Sequence, residues 1–217
     1  MIPIHEDSFL LPWQQFDIGN YSTIQENHKE LKMNRQRILW ITQTAVFIAL
    51  LVSAQIFTAQ FGQFVTGSGV NFILVMACIL VGLPSAATVG IVSPALAFLI
   101  TGRPIFPVLI PFVMVGNVAL VVAIHFIFAK SYVGSGHFSY VRATIAVVAG
   151  AVLKFLVLWV GIVQIALLFI PDIRPPQVDA LSLAFSWPQL VTALIGGSLA
   201  MVVAPYLAKA VKGLRSV

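Results

Sequence analysis

An all-α integral membrane bundle of six transmembrane helices, with both termini cytoplasmic, is the fold this sequence predicts. Three observations predict it. Hydrophobic residues make up 59% of the chain and charged residues 9%, with a mean hydropathy of +1.00, whereas a soluble domain carries about a quarter charged residues. The acids are confined to Glu6, Asp7, Asp17, Glu26, Glu30, Asp172 and Asp179, so positions 31 to 171 contain no carboxylate side chain. The basic residues are distributed as the positive-inside bias requires of six spans. Positions 29, 32, 35, 37, 130, 142, 209, 212 and 215 then face the cytoplasm, Arg103 and Arg174 face outward, and Lys154 lies within a span.

Residues 1–35 read as a polar cytoplasmic tail and residues 36–213 as the membrane domain. The first 33 residues mix acids, amides and a few aromatics without sustained periodicity, and Met33 is an alternative start; no role is assigned to them. Their polar, acidic character is wrong for a secretory signal. The first span runs from Ile38 to Phe61, long enough for the roughly 20 apolar residues a helix needs to cross about 30 Å of hydrocarbon. Ala45, Ala49 and Ser53 stand four apart on it, so three small residues stack on one helical face. Such a ridge lets another helix approach closely in lipid. A neighbouring span of the same chain is the plainest occupant.

A polar, glycine-rich turn from Gln60 to Asn71 follows. The segments Val70–Leu83 and Ala86–Ile100, separated by Pro84-Ser85, are short, about 21–23 Å each as helix. Read as one interrupted span, they would place Lys130, Arg142 and the basic C-terminal end outside; read as two, they obey the charge bias. The fourth span covers about Ile105 to Phe128, the fifth Ala143 to Ile170 and the sixth Gln189 to Ala208, the last two joined by a proline-rich loop, Pro171 to Pro188. Pro94, Pro107 and Pro111 kink or start helices and free backbone carbonyls. Trp187 reads as an interface residue.

Several function classes lose support at this point. Proton-coupled transport and carboxylate metal sites put acids inside the membrane, and none is there. Cys78 is single and sits in an apolar run, so it offers neither a disulfide nor a thiol metal site. No Walker A sequence is present, which removes ATP hydrolysis by that route. The net charge of +5 follows from membrane orientation without any nucleic acid. No metal, cofactor or catalytic residue is assigned. Ser68 and His125 would be needed at one depth to form a dyad, and the span assignment sets them toward opposite surfaces.

Lys154 is the most telling residue. It lies near mid-depth, where an unpaired lysine costs several kcal/mol or more. It shares one stripe with Gly150, Val157, Gly161 and Gln164, a spacing that points to the bundle interior. With no acid in the spans, its expected partners are backbone carbonyls, water, a substrate or another subunit; a snorkelling side chain is the plain alternative. Asn117 faces the same interior, as a ligand contact or as a tie between helices. His125 reads as structural and His137 as solvated. The neutral groups of Gln60, Gln63, Thr66, Ser68 and Asn71, with Gly67 and Gly69 for bending, suit either a wet loop or a substrate lid, and Gln164 lies near enough to the outer surface to meet them.

With its six spans, both ends inside, and the motif Ala45-Val46-Phe47-Ile48-Ala49, the chain resembles the S components of energy-coupling factor (ECF) transporters over roughly residues 36 to 213. The stretches Gly67 to Asn71 and Ser93 to Phe98 share in the resemblance; the long N-terminal extension departs from it. The resemblance implies a prokaryotic, multi-pass plasma-membrane subunit that captures a vitamin outside and topples to release it inward. It implies partners as well: a transmembrane T component and two ATPases that use the ATP. Ala45, Ala49 and Ser53 would then dock on the T component, and Gln63 to Asn71 would form the lid. The expected substrate contacts are Gln63, Thr66, Ser68, Asn71, Arg103, Asn117, Lys154 and Gln164. An amide-rich lid suits cobalamin or a related corrinoid; pantothenate, folate, pyridoxine and riboflavin are the alternatives, and a membrane scaffold, an ATP-independent facilitator or an intramembrane enzyme are the other classes.

Overall fold

The structure, a computed structural model, describes residues 12–102, 106–135 and 137–215. It divides into two units, residues 1–42 and 43–217. Among the described residues there is no strand, and six helices are long and apolar enough to cross a membrane.

In the first unit the chain is helical from Pro12 onward, as the opening of helix α1, Pro12–Thr58. The sequence shows no apolar period here, yet the stretch is helical. Its Gln, Glu and Lys residues have good helix propensity, and no proline occurs between positions 13 and 83. Every side chain described from position 28 to 42 is exposed.

The second unit begins within α1. There Thr44, Leu51 and Val52 are buried, and the Thr44 hydroxyl donates to the Ser85 hydroxyl at 2.8 Å. A single 3-10 turn, Ala59–Phe61, and Gly62 at φ 83° reverse the chain. Helix α2, Gln63–Leu80, starts at once. The polar stretch read as a loop through Asn71 is therefore helical from Gln63. The turn needs only Gly62, whose left-handed backbone is open to glycine at no steric cost. Gly67 and Gly69, which looked like hinges, are helical residues.

Helix α3, Leu83–Thr101, follows a break at Val81-Gly82, with Gly82 at φ 122°. The break precedes Pro84, which sits in the first turn where no helical N–H is needed. Both α2 and α3 are longer than the apolar runs suggested.

The fourth helical segment, α4, is Pro107–Val133. It opens with a 3-10 turn and contains a π turn at His125–Ala129. The fifth, α5, is Tyr140–Phe169, entered through Ser139 and widened by a π turn at Trp159–Ile165. That wide turn explains one departure from periodicity. The buried stripe runs through Gly150, Lys154 and Gly161, but Gln164 is exposed and Ala166 takes the next inward position. A π turn spends an extra residue, so spacing counted at 3.6 per turn fails beyond it.

The loop between α5 and the last span holds a short helix, α6, Pro175–Ala184, started by two prolines in its first turn. Helix α7, Trp187–Arg215, completes the chain. The main apolar core gathers Leu74, Leu120, Ile124, Phe128 and Ala200. A smaller one gathers Leu109, Leu158 and Ile162, with Leu181 of α6 and Phe185 beside it.

Glycine sets how closely these helices approach. A Cβ on Gly196 would lie 2.3 Å from the Ser68 carbonyl oxygen and 2.7 Å from the Phe72 amide nitrogen, so α7 rests directly on the α2 backbone. A Cβ on Gly116 would lie 2.9 Å from Leu158, and one on Gly150 3.0 Å from Leu120. These two positions bring α4 and α5 together.

Candidate functional site

Lys154 lies at the centre of the bundle and is 3% exposed. Its Nζ donates to Asn71 Oδ1 at 2.6 Å and to Asn117 Oδ1 at 2.8 Å. Both asparagines are fully buried. The expectation that Lys154 needs a backbone carbonyl, water, substrate or separate subunit is corrected here. Two side-chain amide oxygens of its own chain accept from Nζ. They supply directed partial negative charge to a buried donor that water cannot reach.

Each amide then has its NH2 group to satisfy. Asn117 Nδ2 donates to the Gly90 carbonyl at 3.2 Å. That carbonyl is available because Pro94, four residues on, has no N–H to give it. Gly90 also makes room for the contact, since a Cβ there would stand 3.1 Å from Asn117 Cβ. Asn71 Nδ2 donates to Thr192 Oγ1 at 3.4 Å, and Thr192 donates onward to the Gln189 carbonyl at 3.2 Å. Thr192 reaches α2 because Gly67 faces it; a Cβ on Gly67 would lie 3.0 Å from its side chain. One network thus joins α2, α3, α4, α5 and α7.

The expected contact residues separate into three groups. Lys154, Asn117 and Asn71 meet, and Asn71 does so from a buried helical position rather than from a lid. Thr66 and Ser68 stay on α2, where the Thr66 hydroxyl donates to the Thr58 carbonyl at 2.8 Å, and Ser68 Oγ is buried without a partner among the described residues. Gln63 and Gln164 are exposed and outside the cluster. Arg103 lies outside the described residues.

Thr192, Gly90 and Gly196 belong to this arrangement and were not singled out from the sequence. A signal for Thr192 and Gly196 was present. Thr192, Gly196, Ala200 and Ala204 stand four apart and are all buried, a longer small-residue ridge than the one on α1. The α1 ridge behaves differently: Ala45, Ala49 and Ser53 are all exposed. The plain reading, in which they pack against a span of the same chain, is overturned. Thr44, Leu51 and Val52 make the inward face instead.

Among the described residues no group of three or more His, Cys, Asp or Glu side chains gathers as a metal site would. Cys78 is buried, with its Sγ 3.5 Å from the Val121 carbonyl oxygen. Comparison with protein-family models, curated proteins and solved structures finds no match.

Proposed function

We propose that this chain is the substrate-capture subunit of an ECF-type importer, embedded by six spans in a prokaryotic cell membrane. The observation that carries the reading is the outward turn of Ala45, Ala49 and Ser53. A ridge of small side chains that is not used inside the bundle offers a close-packing surface to another membrane helix, where association depends on van der Waals fit. The T component is the partner this surface would take. Two ATPases behind it would supply the energy for which this chain has no nucleotide motif.

The proposed cargo is a vitamin, with cobalamin or a corrinoid tested first. The argument from an amide-rich lid does not carry over, because Gln63–Asn71 is helical. What supports an amide-bearing cargo is the exposed Gln63 near the turn. Pantothenate, folate, pyridoxine and riboflavin complete the panel. Binding by the purified chain is the test: tight binding of one compound supports capture, and no binding across the panel removes it.

One observation favours a second reading, a membrane scaffold. Lys154, Asn71 and Asn117 satisfy one another in a sealed centre, as a structural tie would. Tight binding of any small solute would remove that reading.

A further inference from the structure

The part of α1 that leads into the first apolar span carries a groove of about 250 Å³, lined by Met33, Gln36, Arg37 and Trp40. Their spacing of three, one and three positions sets the four on one helical face, and all four are exposed. The groove is smaller than the roughly 300–1,000 Å³ of sites that enclose a small molecule. It suits the end of something larger lying along the helix.

The polar lining is rich in donors. Arg37 offers a planar fork of N–H groups, Gln36 an amide NH2 and Trp40 an indole N–H, while Met33 is apolar. A phosphodiester, which only accepts, complements such a set, and a guanidinium holds it by paired, charge-assisted bonds. Depth selects the source of that phosphate. Arg37 is the last cation before the apolar run that opens at Ile38, and Trp is a residue of the membrane–water boundary. Helical side chains lean toward the helix N-terminus, the cytoplasmic end in the six-span reading, so Arg37 and Trp40 lean from the span into the headgroup layer.

The nearest acids are too far away to neutralise the groove. Glu30 and Glu26 lie seven and eleven positions before Arg37, about 10 and 16 Å farther from the bilayer at 1.5 Å per residue. Charges in physiological salt are screened over about 8 Å. After Glu30 no acid follows until Asp172. Lys32, one turn before Gln36, adds a second cation on the same side. Arg35, two positions from both Met33 and Arg37, sits on the opposite face.

We propose that this groove binds the headgroup of one anionic phospholipid of the cytoplasmic leaflet, its phosphate held by Arg37 and Gln36 beside Met33 and Trp40. The site is independent of the importer reading.

Trp40 is itself the reporter. A full chain carrying Trp13→Phe, Trp159→Phe and Trp187→Phe keeps it as the single tryptophan, and is reconstituted in phosphatidylcholine vesicles. A small fraction of lipid brominated high in its acyl chains is added, as phosphatidylcholine or as phosphatidylglycerol, and quenching is compared. Stronger quenching by the brominated phosphatidylglycerol is expected. Arg37→Gln lowers that preference about fivefold, the effect of one basic residue on an acidic lipid, whereas Arg35→Gln, with the same loss of charge, leaves it nearly unchanged. Equal quenching by the two lipids overturns the proposal. Equal losses in Arg37→Gln and Arg35→Gln overturn it as well, because the attraction then belongs to the net charge and not to the groove. Abolition of the preference by millimolar inorganic phosphate assigns the groove to a soluble anion and overturns it. If the single-tryptophan chain does not fold, lipids retained by the parent, Arg37→Gln and Arg35→Gln chains are weighed by native mass spectrometry. Phosphatidylglycerol retained equally by all three overturns the proposal there.

Discussion

Asn117 donates to the carbonyl of Gly90, the one carbonyl in α3 that Pro94 leaves without its helical donor. A proline in a membrane helix is tolerated where a neighbour repairs the backbone it breaks. Here the repair group is the same amide that turns its oxygen to Lys154, so the defect in α3 helps to orient the partner of the buried lysine.

This coupling is measurable. Asn117→Leu leaves the Gly90 carbonyl unserved, and Pro94→Ala restores a helical N–H to it. Pro94→Ala should therefore gain more stability in the Asn117→Leu background than in the parent, by about 0.5–1.5 kcal/mol, the net worth of a typical hydrogen bond. Thermal unfolding of the four chains in detergent gives the cycle, and additivity within error would refute the coupling.

Removing the lysine should hurt more than removing the whole cluster. Lys154→Met strands two buried amide oxygens, at about 1–3 kcal/mol for each unsatisfied group. Adding Asn71→Leu and Asn117→Leu to it should recover part of the loss, because a buried polar group costs most when its partner is missing. A triple variant less stable than Lys154→Met would show that the amides hold the bundle by other contacts.

Two glycines make a matched pair. Gly196→Ala drives a methyl group into the α2 backbone at Ser68 and Phe72, and overpacking of this kind costs about 1–3 kcal/mol. Gly69→Ala meets nothing within 4 Å and should leave the unfolding temperature unchanged or raise it. Equal effects would contradict the close α2–α7 contact.

On α1 the two faces should respond oppositely. Ala49→Trp adds a ring to an exposed face and should fold as the parent does, while Leu51→Trp, at 0% exposure, should destabilise the bundle. If the importer reading holds, Ala45→Trp and Ala49→Trp also block assembly with the T component and keep vitamin binding. Unchanged assembly would sink the docking surface without touching the fold prediction.

Cys78 should resist N-ethylmaleimide in the folded chain, since it is 1% exposed and the reagent needs an accessible thiolate. Unfolding in dodecyl sulfate should restore full labelling. Rapid labelling of the native protein would place α2 at the surface instead.

Much of the architecture was legible because membrane solvent enforces it. Apolar length and the absence of acids mark the spans, and the distribution of Lys and Arg chooses six over five. The ends of elements were less legible. Gln63–Asn71 looked like a loop because its residues are polar and glycine-rich, yet polar side chains at a helix start and a glycine, Gly67, under a neighbouring helix are compatible with α geometry. Gln164 fell off its stripe because a π turn changes the period, and nothing in the composition of Trp159–Ile165 announces it.

The candidate site divides along the same line. Lys154 was conspicuous by its depth, and Asn117 by its place in an apolar span, so the sequence by itself determined which polar groups must be reconciled with lipid. It also displayed two ridges of small residues, Ala45-Ala49-Ser53 and Thr192-Gly196-Ala200-Ala204, with the same spacing. Only the tertiary structure decided that the second is packed inside and the first is turned out, and that Asn71, 83 positions from Lys154, is its partner. The physical reason is range. Burial cost and periodicity are properties of neighbouring residues, whereas which acceptor meets a given donor depends on how whole helices are arranged.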